Sequence, residues 1–298
     1  MQIFVTGATG WIGSAVVDEL LDAGHDVTGL ARSDDSAAAL EKKGARVRRG
    51  DLDDLASIRA GAVEAEAVVH LANKHDWANP AAADKAERGA VETMLEALAG
   101  TDRAIIIANG ISGLVQGRPA TESDPSPAVG PESDRGGSEN LTLDHAKRGV
   151  RSMVMRFAPS VHGAGDWGFV SFLTAAAKKR GVSAYVGDGS TGWSAVHRID
   201  AARLVRLGLE RAPAGSRLHA VAEEVVPTRE IAEVIGRSLG LPVVSVAPEN
   251  AIDHFGFVGR FFGMDMSASS AHTRDLLSWT PTGPTLIEDI RSGAYTGA

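Results

Sequence analysis

Through the first half of the chain, short apolar runs alternate with stretches whose apolar positions recur every three or four residues. The runs end at Val5, Leu30, Val47, Leu71, Ile107 and Phe157 and read as strands. In Ile12–Leu21 the residues Ile12, Ala15, Val16, Leu20 and Leu21 share one helical face, and Gly24 supplies a stop. A second helix is predicted over Ala82–Leu98. Ala67-Val68-Val69 and Ala104-Ile105-Ile106-Ile107 contain no polar position, as a strand covered on both faces requires. This alternation predicts an α/β fold, a doubly wound parallel sheet with helices on both faces.

Residues 116–138 break the rhythm. They are rich in Gly, Pro, Ser and Asp and predict a long loop of the kind that often carries function. Beyond Phe157 the pattern loosens into helices and short strands, with a capped amphipathic helix predicted over Thr228–Leu239. The expected division is a nucleotide-binding domain over 1–163 and a smaller mixed α/β substrate-binding part over 164–298. Residues 196–220 are expected to return to the first domain.

A length of 298 residues suits one large or two small domains, and 44% apolar content allows a buried core. Acidic residues outnumber basic ones 38 to 30, and the net charge of −8 disfavours nucleic acid or an anionic membrane as partner. The absence of cysteine excludes disulfides, thiol catalysis and thiolate metal sites. No pair of histidines or carboxylates has metal-ligand spacing, so no metal is expected. The chain enters a strand at Gln2-Ile3-Phe4-Val5 where a leader would be basic and then apolar, and no apolar run nears the ~20 residues of a membrane span. A cytoplasmic protein is expected. Its expected partner is a small-molecule substrate, with a homodimer left open.

The sharpest chemical signal is Gly7-Ala8-Thr9-Gly10-Trp11-Ile12-Gly13, which follows a strand and opens a helix. Gly7 permits the tight turn, Gly10 lets a pyrophosphate approach the backbone, and Gly13 lets the helix pack close to the sheet. Free N–H groups and the positive end of the helix dipole then face phosphate. These features predict a Rossmann dinucleotide site. At the end of the second strand, Arg32-Ser33 stands where an NAD-preferring protein carries a carboxylate on the ribose 2′-hydroxyl. A guanidinium and a hydroxyl suit a 2′-phosphate, so NADP(H) is favoured over NAD(H). Asp34 and Asp35 follow and are expected to face solvent.

Six segments carry a family resemblance: Thr6–Gly13, Gly50-Asp51-Leu52-Asp53, Val69-His70-Leu71-Ala72, Arg156–Gly163, Val196–Ala202 and Thr273–Pro281. Together they resemble the extended short-chain dehydrogenase/reductases, the group that includes sugar-nucleotide epimerases and dehydratases. The resemblance covers nearly the whole chain and is more specific for the fold than for a reaction. It implies a cofactor held by Gly7, Thr9, Gly10, Trp11, Ile12 and Gly13. Asp51 and Leu52 would flank the adenine, Leu71, Ala72 and Ala108 would lie along the cofactor, and Pro159, Ser160, Val161 and His162 would border the nicotinamide.

The family's Tyr, with a Lys four residues later, is not where the resemblance puts it. Tyr185 is followed four positions on by Gly189, and Tyr295 lies three residues from the end. Counting back from Glu139, the Tyr slot falls at Pro131 and the Lys slot at Arg135. Arg135 can bond a ribose or carboxylate but is a poor acid. The Ser or Thr expected after the fifth strand falls at Ile111, with Ser112 one step on and Asn109 also able to hold a substrate oxygen. The chain thus resembles an atypical branch of the family. His162 is a candidate proton donor in place of the Tyr. His75 or Asp76 can reach the pocket from the fourth-strand loop. His70 reads as a satisfied core histidine, and His197-Arg198-Ile199-Asp200 as a helix start. Phe255, Phe257, Phe261, Phe262, Met264 and Met266 read first as core and second as an apolar substrate wall, with Trp167 and Phe169 similar candidates. The expected function is NADPH-dependent reduction of a small, moderately apolar carbonyl or activated alkene. A non-catalytic NADP(H) sensor or scaffold is the alternative, and a nucleotide-sugar epimerase or dehydratase comes third.

Overall fold

The computed structural model describes residues 1–76 and 78–296. The first half runs β1 (Gln2–Thr6), α1 (Trp11–Asp22), β2 (Asp26–Ala31), α2 (Asp34–Lys42), β3 (Arg46–Arg49), α3 (Leu55–Glu64), β4 (Ala67–His70), α4 (Pro80–Leu98) and β5 (Ala104–Gly110). After a long connection come α5 (Ser138–Asp144), β6 (Arg151–Phe157) and β7 (Ser160–His162). The remainder is α6 (Phe169–Arg180), β8 (Ser183–Val186), β9 (Gly192–His197), α7 (Arg198–Arg211), β10 (Ser216–Ala220), β11 (Glu223–Pro227), α8 (Thr228–Leu239) and β12 (Val243–Val246). Four short helices follow, α9 (Ala251–Phe255), α10 (Gly259–Phe262), α11 (Ala271–Leu277) and α12 (Leu286–Arg291).

Seven parallel strands in the order β10-β6-β5-β4-β1-β2-β3 form the main sheet. The order reverses between β1 and β4, which opens a crevice at their carboxyl ends. The apolar strands are the covered ones: β4 is buried at all four positions, and Phe4 of β1 is fully buried under α3 and α4. Burying such a side chain contributes roughly 1.5–3 kcal/mol. β3, with sequence RVRR, is an edge strand whose charges discourage pairing with another chain.

The smaller part holds a three-stranded sheet, β11-β9-β7, and the parallel pair β12-β8, around its own core of Trp193, Phe255, Phe262 and Met266. α7 packs on α1, β10 joins the main sheet, and Ala268, Leu277 and Trp279 join the first core.

Several boundaries differ from the sequence pattern, each for a local reason. α4 begins at Pro80 because proline at the first helical turn gives up an N–H that has no partner there anyway. β5 runs on to Gly110 because Asn109 and Gly110 pair with Arg156 and Phe157. α8 has the predicted span, but no side chain caps its start. Thr228 is its first helical residue, and its hydroxyl lies 3.2 Å from that of Thr191. Residues 111–133 hold no helix or strand.

Candidate active site

The glycine turn sits at the β1/β4 crevice. Gly7 has φ 66°, and a Cβ there would lie 2.7 Å from Ala72 N and 2.8 Å from Leu71 O. The turn therefore touches the segment just after β4 backbone to backbone. A Cβ on Gly13 would lie 2.0 Å from Gly7 O, so the first turn of α1 rests on the glycine turn itself. Gly10 caps α1 with no side-chain hydrogen bond, and no acidic residue lies in the first helical turn. Thr9 and Gly10 are exposed. An uncapped positive helix end thus opens outward, which fits a diphosphate. Trp11 has a second task. Its indole N–H donates to Val161 O at 2.6 Å, and the Arg198 guanidinium lies 4.3 Å from its ring centre, so the turn is tied to β7 and α7.

On the β2–β3 side, Ser33 is the N-cap of α2. Its Oγ accepts from Ser36 N at 3.2 Å and donates to Ser36 Oγ at 3.0 Å. The hydroxyl expected to meet a 2′-phosphate thus also caps a helix. Arg32 is exposed, and among the described residues it has no hydrogen bond or ion pair. Asp34 is turned aside by Arg49 at 2.6 Å. The Asp51 carboxylate accepts the N–H groups of Asp53 and Asp54 at 2.8 and 3.1 Å, which shapes the loop that carries the buried Leu52. Lys74 bridges to Asp53 at 2.7 Å and links the loops after β3 and β4.

Across the crevice, Asn109 does not stand free. Its Nδ2 donates to Glu139 Oε2 at 2.7 Å, and its Oδ1 accepts from Gly110 N at 2.8 Å. Glu139 is the hub of a buried network. Arg156 grips both its oxygens, and Arg217 reaches it at 3.3 Å. His219 lies 3.2 Å from Arg156 Nη1 and 2.7 Å from Ser269 O, and burial holds its pKa below the ordinary histidine value. Ile111 is in the core, whereas Ser112 is exposed on the turn after β5.

The His162 ring is 0% exposed. Its Nδ1 lies 2.5 Å from Asp289 of α12, Glu223 of β11 is 3.8 Å from its Nε2, and the His197 ring is 5.5 Å away. Nearby, Tyr295 donates to Asp166 at 2.7 Å, and burial raises the pKa of Asp166. The cluster fastens the C-terminal helix to β7 and β9. Asp200 also exceeds its expected role. It lies in the first turn of α7 as predicted, but its carboxylate accepts the N–H groups of Thr282 and Gly283.

Arg135 stands just before α5 in a left-handed turn, with φ values of 54°, 60° and 64° at Arg135, Gly136 and Gly137. Its Nε and Nη2 lie 2.8 and 2.6 Å from Glu87 Oε1 of α4, and Asn73 donates to Glu87 Oε2 at 2.5 Å. The sequence reading missed Glu87. Its signal was present, since it lies on the stripe Ala83, Ala90, Val91 and Met94 that α4 buries. A charged residue on an apolar stripe announces a buried partner.

His70 is only half satisfied. Its Nδ1 lies 2.7 Å from Thr6 Oγ1, and among the described residues its Nε2 has no partner. Burial, then the Arg135 charge, lower its pKa from 6.5 to about 3. The unfolded chain takes up this proton below pH ~6.5 and the folded protein refuses it. Stability is therefore full above pH ~6.5 and falls as pH drops toward 3, by about 1.4 kcal/mol per pH unit at most. Urea unfolding at pH 7.5 and 5.5 should show His70→Gln losing about one proton's worth less stability than the parent. Equal losses would count against the assignment.

His75 has φ 49° and lies edge-on to Trp167, with ring centres 6.5 Å apart. Trp167 is 58% exposed. Asp76 instead accepts the N–H groups of Ala78 and Asn79. Of the aromatic and methionine cluster, Phe255, Phe262 and Met266 are buried, and Phe257, Phe261 and Met264 are partly buried around them, so it is mainly core.

The model of the NAD dependent epimerase/dehydratase family matches residues 3–220. The chain belongs to this family. Family members are NAD(P)-dependent enzymes, and the crevice just described is where such a protein keeps its dinucleotide. This epimerase/dehydratase-family chain is 45% identical over 296 residues to Uncharacterized protein C2A9.02 of Schizosaccharomyces pombe, covering 99% of this chain and 100% of that one. It is 26% identical over 224 residues to 4-hydroxy-2-methyl-3-oxo-4-farnesyl-3,4-dihydroquinoline-1-oxide ketoreductase of Stigmatella aurantiaca, covering 72% of this chain and 66% of the relative. Among solved structures it resembles the UDP-glucose 4-epimerase of Thermotoga maritima with a TM-score of 0.76. That match has 20% identity and covers 99% of this chain and 98% of the other. At that identity the likeness speaks for the fold. No helix among the described residues is long and apolar enough to cross a membrane.

Proposed function

We propose that this chain is an NADP(H)-dependent reductase of a small, moderately apolar carbonyl or activated alkene. The observation that carries the reading is the uncapped, outward-facing start of α1 at the β1/β4 crevice, with the unpaired Arg32 guanidinium beyond the end of β2. The first suits a diphosphate and the second a 2′-phosphate. Asp51 and Leu52 lie at the adenine end, and Leu71, Ala72 and Ala108 line the middle. Pro159, Ser160 and Val161 border the nicotinamide end. When bound, the nicotinamide supplies the hydride.

The protein's part is to bind, orient and shield. Ser112, exposed on the turn after β5, holds the substrate oxygen, and water supplies the proton. Positioning carries much of the rate in such a site. The exposed Trp167 beside His75 gives the mouth an aromatic rim suited to an apolar substrate. The distant ketoreductase relative favours carbonyl reduction.

Steady NADPH oxidation with a panel of ketones and enones tests the reading. Tight NADPH binding with no turnover would replace it by a sensor or scaffold, which the proline at position 131 favours. Turnover of a nucleotide sugar would replace it by an epimerase or dehydratase. Arg32→Ala should weaken NADPH binding at least about 10-fold, roughly 1.4 kcal/mol, and leave NADH binding within about twofold. Equal losses for both cofactors in calorimetry would remove the 2′-phosphate assignment.

A further inference from the structure

We propose that Glu87 is a positioning residue, a buried carboxylate on α4 that aims the Arg135 guanidinium at the nicotinamide half of the dinucleotide. The inference rests on the dinucleotide-binding reading above and names how one half of that ligand is held.

The geometry around the pair is over-determined. The Glu87 side chain is 0% exposed, while that of Arg135 is 28% exposed. Glu87 is thus sealed, while the partly exposed Arg135 lies close enough to His70 and His75, at the carboxyl end of β4, for its charge, second to burial, to lower the pKa of both. Glu87 Oε1 takes Nε and Nη2 of Arg135, and Oε2 takes the Asn73 amide. That leaves Arg135 Nη1 without a partner among the described residues.

The backbone is held as firmly as the side chain. Arg88 Nη1 donates to Gly136 O at 2.6 Å. A Cβ on Gly136 would lie 2.6 Å from Arg88 Cβ, and one on Gly137 would lie 2.7 Å from Gly130 O. A left-handed conformation costs a non-glycine residue roughly 1–2 kcal/mol. It persists where the surroundings enforce it, and such strain clusters at functional sites. Here α4 and the 130–133 segment enforce it on Arg135.

Strand order says which half of the ligand Arg135 meets. Arg32 and Asp51 follow β2 and β3, on one side of the switch point. Arg135 precedes α5, which packs on β5 and β6 on the other side. A dinucleotide laid across the α1 start with its adenosine toward β2 and β3 puts its second ribose toward Arg135. The ribose hydroxyls are acceptors for the free Nη1. Glu87 fixes two of the guanidinium's nitrogens, so the third points one way.

The test compares binding of NADPH with binding of 2′,5′-ADP, which lacks the second ribose and the nicotinamide. Calorimetry is run on the parent, Glu87→Gln, Glu87→Asp and Arg135→Ala, with thermal unfolding of each. NADPH affinity should fall at least 10-fold in Glu87→Gln and Arg135→Ala, with 2′,5′-ADP affinity within twofold of the parent. Glu87→Asp should recover part of the loss. A lowered unfolding temperature with unchanged NADPH affinity in folded Glu87→Gln would overturn the proposal, and so would equal losses for both ligands. If the parent binds NADH instead, NADH and ADP replace the pair. A parent that binds none of the four ligands defeats the dinucleotide reading itself, a result distinct from failure of Glu87.

Discussion

Glu139→Ala is expected to destabilise the protein by about 3–5 kcal/mol, the range for breaking a buried ion pair from one side. The substitution strands the Arg156 guanidinium, which is fully buried and depends on both oxygens of Glu139. It also frees Asn109 at the end of β5 and Arg217 on β10. Three strands of the sheet and α5 meet at this one carboxylate, so the loss is felt across the carboxyl edge of the sheet. At about 2–4 °C per kcal/mol for a chain of this size, the unfolding midpoint should drop by roughly 6–20 °C. The double variant Glu139→Leu with Arg156→Met should cost less than the sum of the single changes, because apolar replacement of both partners leaves no buried charge. Additive costs in urea unfolding would mean that the two groups are independent.

Gly13→Ala should weaken NADPH binding by about 100-fold, roughly 2.7 kcal/mol. One methyl group is enough because the ideal Cβ falls 2.0 Å from Gly7 O and 2.8 Å from Gly7 C. Both obstacles are backbone, so α1 must move away from the glycine turn. The turn cannot follow, because Gly7 is already in contact with Leu71 and Ala72. The N–H groups at the start of α1 then lose their aim at the diphosphate. Gly24→Ala is the control. A Cβ there meets nothing within 4 Å, although its φ of 79° costs some stability. It should leave NADPH affinity within about twofold, since the change touches no ligand-facing group. Calorimetry that gave the two variants equal affinity would refute the assigned role of Gly13.

The chain's own pattern determined the alternation of strands and helices, the parallel sheet and the glycine turn. Those features rest on neighbours in sequence: a period of 3.6 or of 2, an apolar run, a glycine at a fixed offset. The turn was legible because β1, the glycines and α1 are consecutive. The position of Arg32 was legible for the same reason, standing one residue past the end of β2. Tertiary structure decided the rest. Ser33 reads as a hydroxyl for phosphate, and only the placement of Ser36 N shows that it also caps α2. His162 reads as a proton donor, and only packing shows that Asp289, 127 residues away, lies 2.5 Å from its Nδ1. Glu87 and Arg135 are separated by 48 residues and have no local relation at all. Spacing along the chain fixes which groups share a face of one element. It does not fix which elements meet, and a buried charge acquires its role from the partner that packing delivers.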